Sequence, residues 1–296
     1  MSDRARGFPG EIDHLVLAVP DLDEARSVYE RMGFAVSPRA EHEALGTANH
    51  VFVFPSSYCE LFGVVRPDVA RNTVGRALAA GSGVSGLALC GSADTAKADY
   101  ADRGIAAGEA IEFSRDALVG DEVATARFRI SRLEDRAAPG FFAFVCEHLT
   151  PELVWHEAAM THPNGVTGVT KVLIRADAPV TAAEGFERLR PGSVAGPESV
   201  GEVDLGPRLC FHDPEDLIMR YPGLDFLEAT GGNREGRAED SAAEVRGVGV
   251  VFSTPSLADT IVCLEKAAVA YKSARSDSVF VLPEQACGIL VEFTER

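Results

Sequence analysis

The chain has 296 residues, 46% of them hydrophobic and 25% charged, and a net charge of −17. A chain of this length and composition can bury a sizeable core, while its acidity argues against nucleic acid and anionic membrane surfaces as partners, since both need a cationic footprint. No apolar run reaches the length of a membrane helix, the start MSDRARGFPG lacks the apolar core of a signal peptide, and the six cysteines (Cys59, Cys90, Cys146, Cys210, Cys263, Cys287) are scattered without a CxxC, so a reduced, cytoplasmic protein is expected.

Taken in order, Glu11–Phe34 reads as a buried strand, a break at Pro20 and an amphipathic helix. Ile12, Leu15, Val16, Leu17 and Val19 form the apolar run. Asp21 is placed to cap the helix, with Glu24 three residues on; Leu22, Ala25, Val28, Tyr29 and Met32 share one helical face. Gly33 suits the left-handed position that closes a helix. His14 is the one metal-competent group inside the apolar run. A short strand is expected at Phe34–Val36, a polar loop at His42–His50 (HEALGTANH), and strands at Val51–Phe54 and Tyr58–Val65, the last carrying Glu60. Asn72–Ala80 reads as a connecting helix and Gly81–Gly83 as a link.

The pattern then returns three times. The second copy has a strand at Gly83–Cys90, a helix at Ala93–Arg103 and strands at Thr125–Ser131 and Phe141–Glu147. The third has Val169–Arg175, a helix at Thr181–Leu189 and strands at Arg208–His212 and Leu217–Tyr221. The fourth comes after a polar loop at Gly231–Glu244, with Gly247–Phe252, a helix at Leu257–Ala268 and paired strands at Ser278–Leu282 and Gly288–Phe293. Each unit is too small to close its own core and needs a partner. Aligning the helices sets Ser85, Lys171 and Gly249 against His14. The halves divide near His162–Val166, giving 1–165 and 166–296, and the sequence leaves open whether unit one pairs with unit two or four. No nucleophile elbow, phosphate loop or dinucleotide fingerprint occurs in its proper context.

The text DHLVLAVPDLDEARSVYERMGF, with HEALGTANH and YCELFGV after it, resembles a module of the vicinal oxygen chelate superfamily and is similar to the glyoxalase-like domains of many bacteria; EHLTPELVW and HPNGVTG fit the same group. The resemblance implies an α+β fold in which tandem βαβββ modules pair into cupped mixed sheets. It also implies a divalent metal (Fe, Mn, Ni or Zn) inside the cup, held from the first and last strands of paired units. That points to His14 and Glu60 in unit one and Glu147 in unit two, with His148 as a substitute. Glu292 is disfavoured, being close to the C-terminus. An imidazole with carboxylates suits such ions, and Glu60 or Glu147 could double as the proton-moving base. By residue chemistry alone, His14 could equally make a satisfied hydrogen bond with Asp13 or Glu60.

His42, Thr47 and Asn49, together with His148, are the expected substrate contacts, although the same residue types also make an ordinary turn. His50, His156 and His212 read as structural, and His162–Gly165 as a turn between the halves. The expected function is a metal-dependent enzyme of lyase, isomerase or dioxygenase type acting on a small oxygen-rich substrate. The alternative is a non-catalytic small-molecule binding or resistance protein of the same fold, suggested by the missing partner histidine. A homodimer would fit such a scaffold.

Overall fold

A computed structural model describes residues 8–70, 82–120, 122–194, 201–225 and 245–296. The helix expected at Asn72–Ala80, the first part of the Gly81–Gly83 link and the loop at Gly231–Glu244 lie outside the described residues. Unit one comprises β1 (Ile12–Ala18), α1 (Leu22–Arg31), β2 (Ala40–His42), β3 (Thr47–Val53) and β4 (Tyr58–Val64). Helix α1 begins where Asp21 Oδ1 accepts the N–H groups of Asp23 and Glu24, both at 2.9 Å, and it turns Leu22, Ala25, Val28 and Tyr29 inward. It ends before Gly33, whose φ is +84° and where an added Cβ would lie 2.5 Å from Cys263 Sγ; conformation and packing both require glycine there.

A short helix α2 (Pro67–Ala70) leads on to unit two, built of β5 (Gly83–Cys90), α3 (Ala96–Ala101), β6 (Ile111–Val119), β7 (Glu122–Arg132) and β8 (Phe142–His148). Unit three comprises β9 (Gly168–Arg175), α4 (Pro179–Phe186), β10 (Glu202–Asp204) and β11 (Arg208–His212), then α5 (Pro214–Arg220). Unit four is β12 (Arg246–Thr254), α6 (Leu257–Lys266), β13 (Lys272–Arg275), β14 (Ser278–Val281) and β15 (Leu290–Glu295). In every unit the first and last strands run parallel: β1 with β4, β5 with β8, β9 with β11, β12 with β15. First strands then pair antiparallel, β1 with β5 and β9 with β12, so unit one pairs with unit two and unit three with unit four. The halves meet along β5 and β12, at the pair Gly247–Val84.

The fold is the expected α+β arrangement, with four local departures. Phe34–Val36 is irregular, and the second strand lies at Ala40–His42. The polar loop shrinks to the tight turn 43–46, because Thr47 already pairs with Val64 in the β3–β4 ladder. Leu217–Tyr221 falls in helix α5 and its C-cap, not in a strand: Pro214 opens the helix and Asp213 Oδ1 caps it by accepting the Asp216 N–H at 2.8 Å. Strand β6 is not apparent in the sequence, since its alternation is carried by few apolar residues.

One irregularity recurs in all four units. Where β1 faces β5, Asp13 is an extra residue between the pairs Ile12–Leu89 and His14–Ala88, and Ser85 an extra residue opposite Val16 and Leu17. The β9–β12 ladder repeats this at Val248 and Thr170. These are β-bulges at one equivalent position. Ser85 Oγ donates to Val16 O (3.4 Å), and Thr170 Oγ1 to the equivalent Val251 O (3.1 Å). Registering on the bulges corrects the alignment by one residue in unit two: the counterpart of His14 is Gly86, not Ser85. Ladder pairing then equates Glu60, which faces Val16, with Phe144, which faces Ala88, and with Glu292, which faces Val251.

One face of β1, with Leu15 and Leu17, packs under α1 in a core common to both halves. Phe34 meets Phe252 at 5.0 Å and Phe293 at 6.0 Å between ring centres. The turn at His162–Gly165 ties the halves together. His162 Nδ1 accepts the Ala35 N–H (3.0 Å) and its Nε2 donates to Val53 O (2.9 Å), while Asn164 Nδ2 donates to Met32 O (2.9 Å) and Thr260 Oγ1 donates to Asn164 O (2.8 Å). The other face of each sheet forms a cup. In the second half the cup is filled by α5 and the residues just after it: Leu217, Tyr221 and Leu224 pack on Leu173, Val251 and Phe280. There Tyr221 Oη donates to Glu292 Oε2 at 2.6 Å, and Arg275 Nη2 to Glu292 Oε1 at 3.1 Å.

Candidate active site

The cup of the first half stays open, as a cavity of about 190 Å³. His14 stands on its floor. Its ring stacks on Tyr58 (4.2 Å, 16° between planes) and takes the edge of Phe144 at 5.5 Å. Its Nδ1 lies 2.6 Å from Asp13 Oδ1, a contact made possible by the bulge, which brings two consecutive side chains together on one side of the strand. With Nδ1 donating to that carboxylate, Nε2 presents a lone pair towards Glu60 Oε2, 3.6 Å away. Glu60 is held from its other oxygen, Oε1, by Asn49 Nδ2 at 2.7 Å. Both His14 and Glu60 are buried.

His42 and Asn49 line the same cavity, and Thr47 Oγ1 sits 3.1 Å from His42 Nδ1. Burial pushes the His42 imidazole down to about 4, assisted by the charges of Arg115 and His14 and opposed by Glu60, so it is neutral at physiological pH. His148 lies behind His14, its Nε2 3.0 Å from the same Asp13 Oδ1; its Nδ1 is buried without a partner. Burial alone would raise the Asp13 carboxyl, yet the charge of His148 and hydrogen bonds from both imidazoles hold it well below the usual carboxylate range.

Glu147 is not with them. It is one residue past Cys146, which lines the cavity, so the strand's alternation turns it to the opposite face. There it accepts the Ala93 N–H at 3.0 Å and approaches Arg129 at 3.7 Å. The cup position it was expected to fill belongs to Phe144.

The donor set fits a divalent ion on the Glu60 side. A 3.6 Å separation is what two donors each about 2.1 Å from one ion would show, and a ligating histidine whose other nitrogen is tied to a carboxylate is the usual supporting arrangement. A second cluster, Asp13, His14, Cys146 and His148, brings four donor atoms within 4.8 Å of one another. Burial pushes the Cys146 thiol well up, and Asp13 is already engaged by two imidazoles, which favours the Glu60 side.

Residues 12–190, more than half of the chain, match the family model of the glyoxalase-like domain. The chain belongs to the glyoxalase-like domain family. No curated protein matches its sequence. Among solved structures, a hypothetical protein from Staphylococcus aureus is similar over 96% of this chain and 99% of its own, at 9% identity and a TM-score of 0.66. A triple variant of 4-hydroxymandelate synthase from Streptomyces coelicolor covers 97% and 93%, at 12% identity and a TM-score of 0.56. A methylmalonyl-CoA epimerase variant from Streptomyces coelicolor aligns to 47% of this chain and 97% of its own, at 22% identity and a TM-score of 0.36. At these identities the likeness to the first two establishes the vicinal oxygen chelate fold alone.

Two residues of this glyoxalase-like site, Tyr58 and Arg115, escape a reading of the sequence. Asp13 was legible as a possible hydrogen-bond partner of His14, but not the bulge that seats it or its contact with His148. Tyr58 reads as a strand residue. Arg115 sits on β6, where the alternation Phe113, Arg115, Ala117 was the available signal.

Proposed function

We propose that the chain is a divalent-metal-dependent enzyme of lyase, isomerase or dioxygenase type, acting on a small oxygen-rich molecule in the first cup. The observation that carries this reading is His14, its Nδ1 on Asp13 and its Nε2 aimed at Glu60 inside an open cavity. His14 and Glu60 would hold the ion, which when bound supplies Lewis acidity to two neighbouring substrate oxygens. Asp13 fixes the tautomer of His14. Asn49 orients Glu60 and leaves Oε2 as the oxygen free to hold a proton or a ligand. His42, neutral and buried, keeps a proton acceptor in the cup. Elemental analysis of untagged protein is expected to give about one equivalent of Fe, Mn, Ni or Zn per chain, lost in His14→Ala and Glu60→Gln. No metal in the parent protein after reconstitution would end the proposal.

A second reading, a non-catalytic binding protein, is favoured by Gly86 and Phe144. They stand where the partner unit's counterparts of His14 and Glu60 would be, which halves the expected ligand set. It predicts saturable ligand binding that chelators do not affect, and chelator-sensitive turnover would exclude it.

A further inference from the structure

The cup contains a cation that the metal reading does not use. Arg115 lines the cavity and is only 8% exposed. Its guanidinium lies over the Phe128 ring at 5.3 Å and donates once, from Nη1 to the Asp116 carbonyl at 3.2 Å. Among the described residues no carboxylate pairs with it. Glu60, the acid in the cup, accepts from Asn49 through Oε1 and turns Oε2 towards His14. The other arginine on the cavity wall, Arg132, is paired at 2.8 Å with Asp135. Apart from that one bond its donors face the open cavity, and its planar fork matches a carboxylate in two-point contact.

The rest of the wall says what carries that carboxylate. Phe113 and Phe128 stack at 5.4 Å with 19° between planes, and Phe62, Phe142 and Phe144 complete an aromatic lining. A dry apolar cavity of about 150 Å³ is enough to bind benzene. The 190 Å³ here therefore takes one ring with a short acidic arm.

We propose that the cup binds a ring-bearing carboxylic acid, with Arg115 as the residue that receives its carboxylate. This deepens the function proposed above and relies on it only for the location of the site. Arg115 becomes a specificity-determining residue: it admits acids and rejects their neutral isosteres, because an amide leaves the guanidinium charge unmatched.

The test uses the full chain with phenylacetate and phenylacetamide as probes. Trp155, the sole tryptophan, packs at 5.7 Å on Tyr58 in the same cup and reports binding by its fluorescence. Phenylacetate is expected to bind ten- to a hundredfold more tightly than phenylacetamide. Arg115→Gln is expected to remove that preference with metal content unchanged, and Arg115→Lys to restore part of it. Equal binding of acid and amide, no binding of either, or an acid preference that survives in Arg115→Gln would overturn the proposal. Loss of that preference in His14→Ala but not in Arg115→Gln would place the carboxylate on the metal instead. Arg115-dependent binding in protein that takes up no metal would leave this inference standing and refute the metal-dependent reaction.

Discussion

At the scale of single residues, the site is a chain of side chains each fixed by the next: Asp13 on His14, His14 against Glu60, Glu60 on Asn49. Asn49→Ala leaves Glu60 free to rotate, and metal affinity measured by competition with a chelator is expected to fall ten- to a hundredfold, as for other supporting ligands. His42 gives a pH signature. Its folded value of about 4 lies below the ordinary 6.5, so the unfolded chain binds more protons between those limits. Stability is therefore complete above about 6.5 and declines as pH falls towards 4, by roughly 2–3 kcal/mol if His42 acts alone; His162, also lowered by burial, adds in the same direction. Urea titrations at pH 7.5 and 4.5 should show a smaller loss in His42→Gln than in the parent. Such residues differ in how legible they are. His14 was visible because a polar group interrupts an apolar run, and Glu60 because family position and strand phase agree. Asp13 was legible only as a neighbour able to bond His14, since the bulge and its contact with His148 leave no mark in the sequence, and Arg115 was not, because its role arises from a strand whose partners across the cup lie far away in sequence.

At the scale of elements, the repeated bulge decides what a helix-based alignment cannot. An extra residue in each first strand changes which side chains face the cup and moves the counterpart of His14 by one, while the pairing of the last strand, Phe144 with Ala88, places the Glu60 position three residues before Glu147. The close approach at Gly86 marks the spot: an added Cβ would lie 2.7 Å from Val16 Cβ and 3.2 Å from Phe142 O. Gly86→Leu is expected to destabilise the fold by about 3 kcal/mol or more through overpacking. Ser85→Ala and Thr170→Ala, which each remove one hydroxyl bond to the facing strand, should cost about 1 kcal/mol. Denaturant midpoints of the three variants distinguish these magnitudes. The strand–helix–strand rhythm itself was legible from apolar periodicity and caps. Helix α5 was not, because its short apolar run suits either state until Asp213 and Pro214 are recognised as a helix start.

At the scale of the molecule, the four units close two cups over one common core. Phe34 and Phe54 of the first half pack on Phe252 of the second. We propose that residues 1–165 and 166–296 are structural halves and not independently stable domains. Expressed alone, 1–165 would expose this aromatic surface and is expected to be insoluble or to associate, whereas co-expression with 166–296 should rescue it. A soluble, cooperatively melting 1–165 fragment would contradict that.

The filled second cup has a consequence for how the chain tolerates mutation. Tyr221, Leu224 and Phe280 occupy the space that in the first cup is left for a ligand, so a substitution there can alter only how much folded protein accumulates. Tyr221→Phe, which removes one of the two partners of Glu292, belongs to that class. Val16, Phe113 and Phe144 face open space, and changes there can alter turnover while abundance holds. A saturation library scored separately for cellular abundance and for activity should therefore split at the middle of the chain: cup positions in the second half are sensitive in the first score, and those in the first half chiefly in the second.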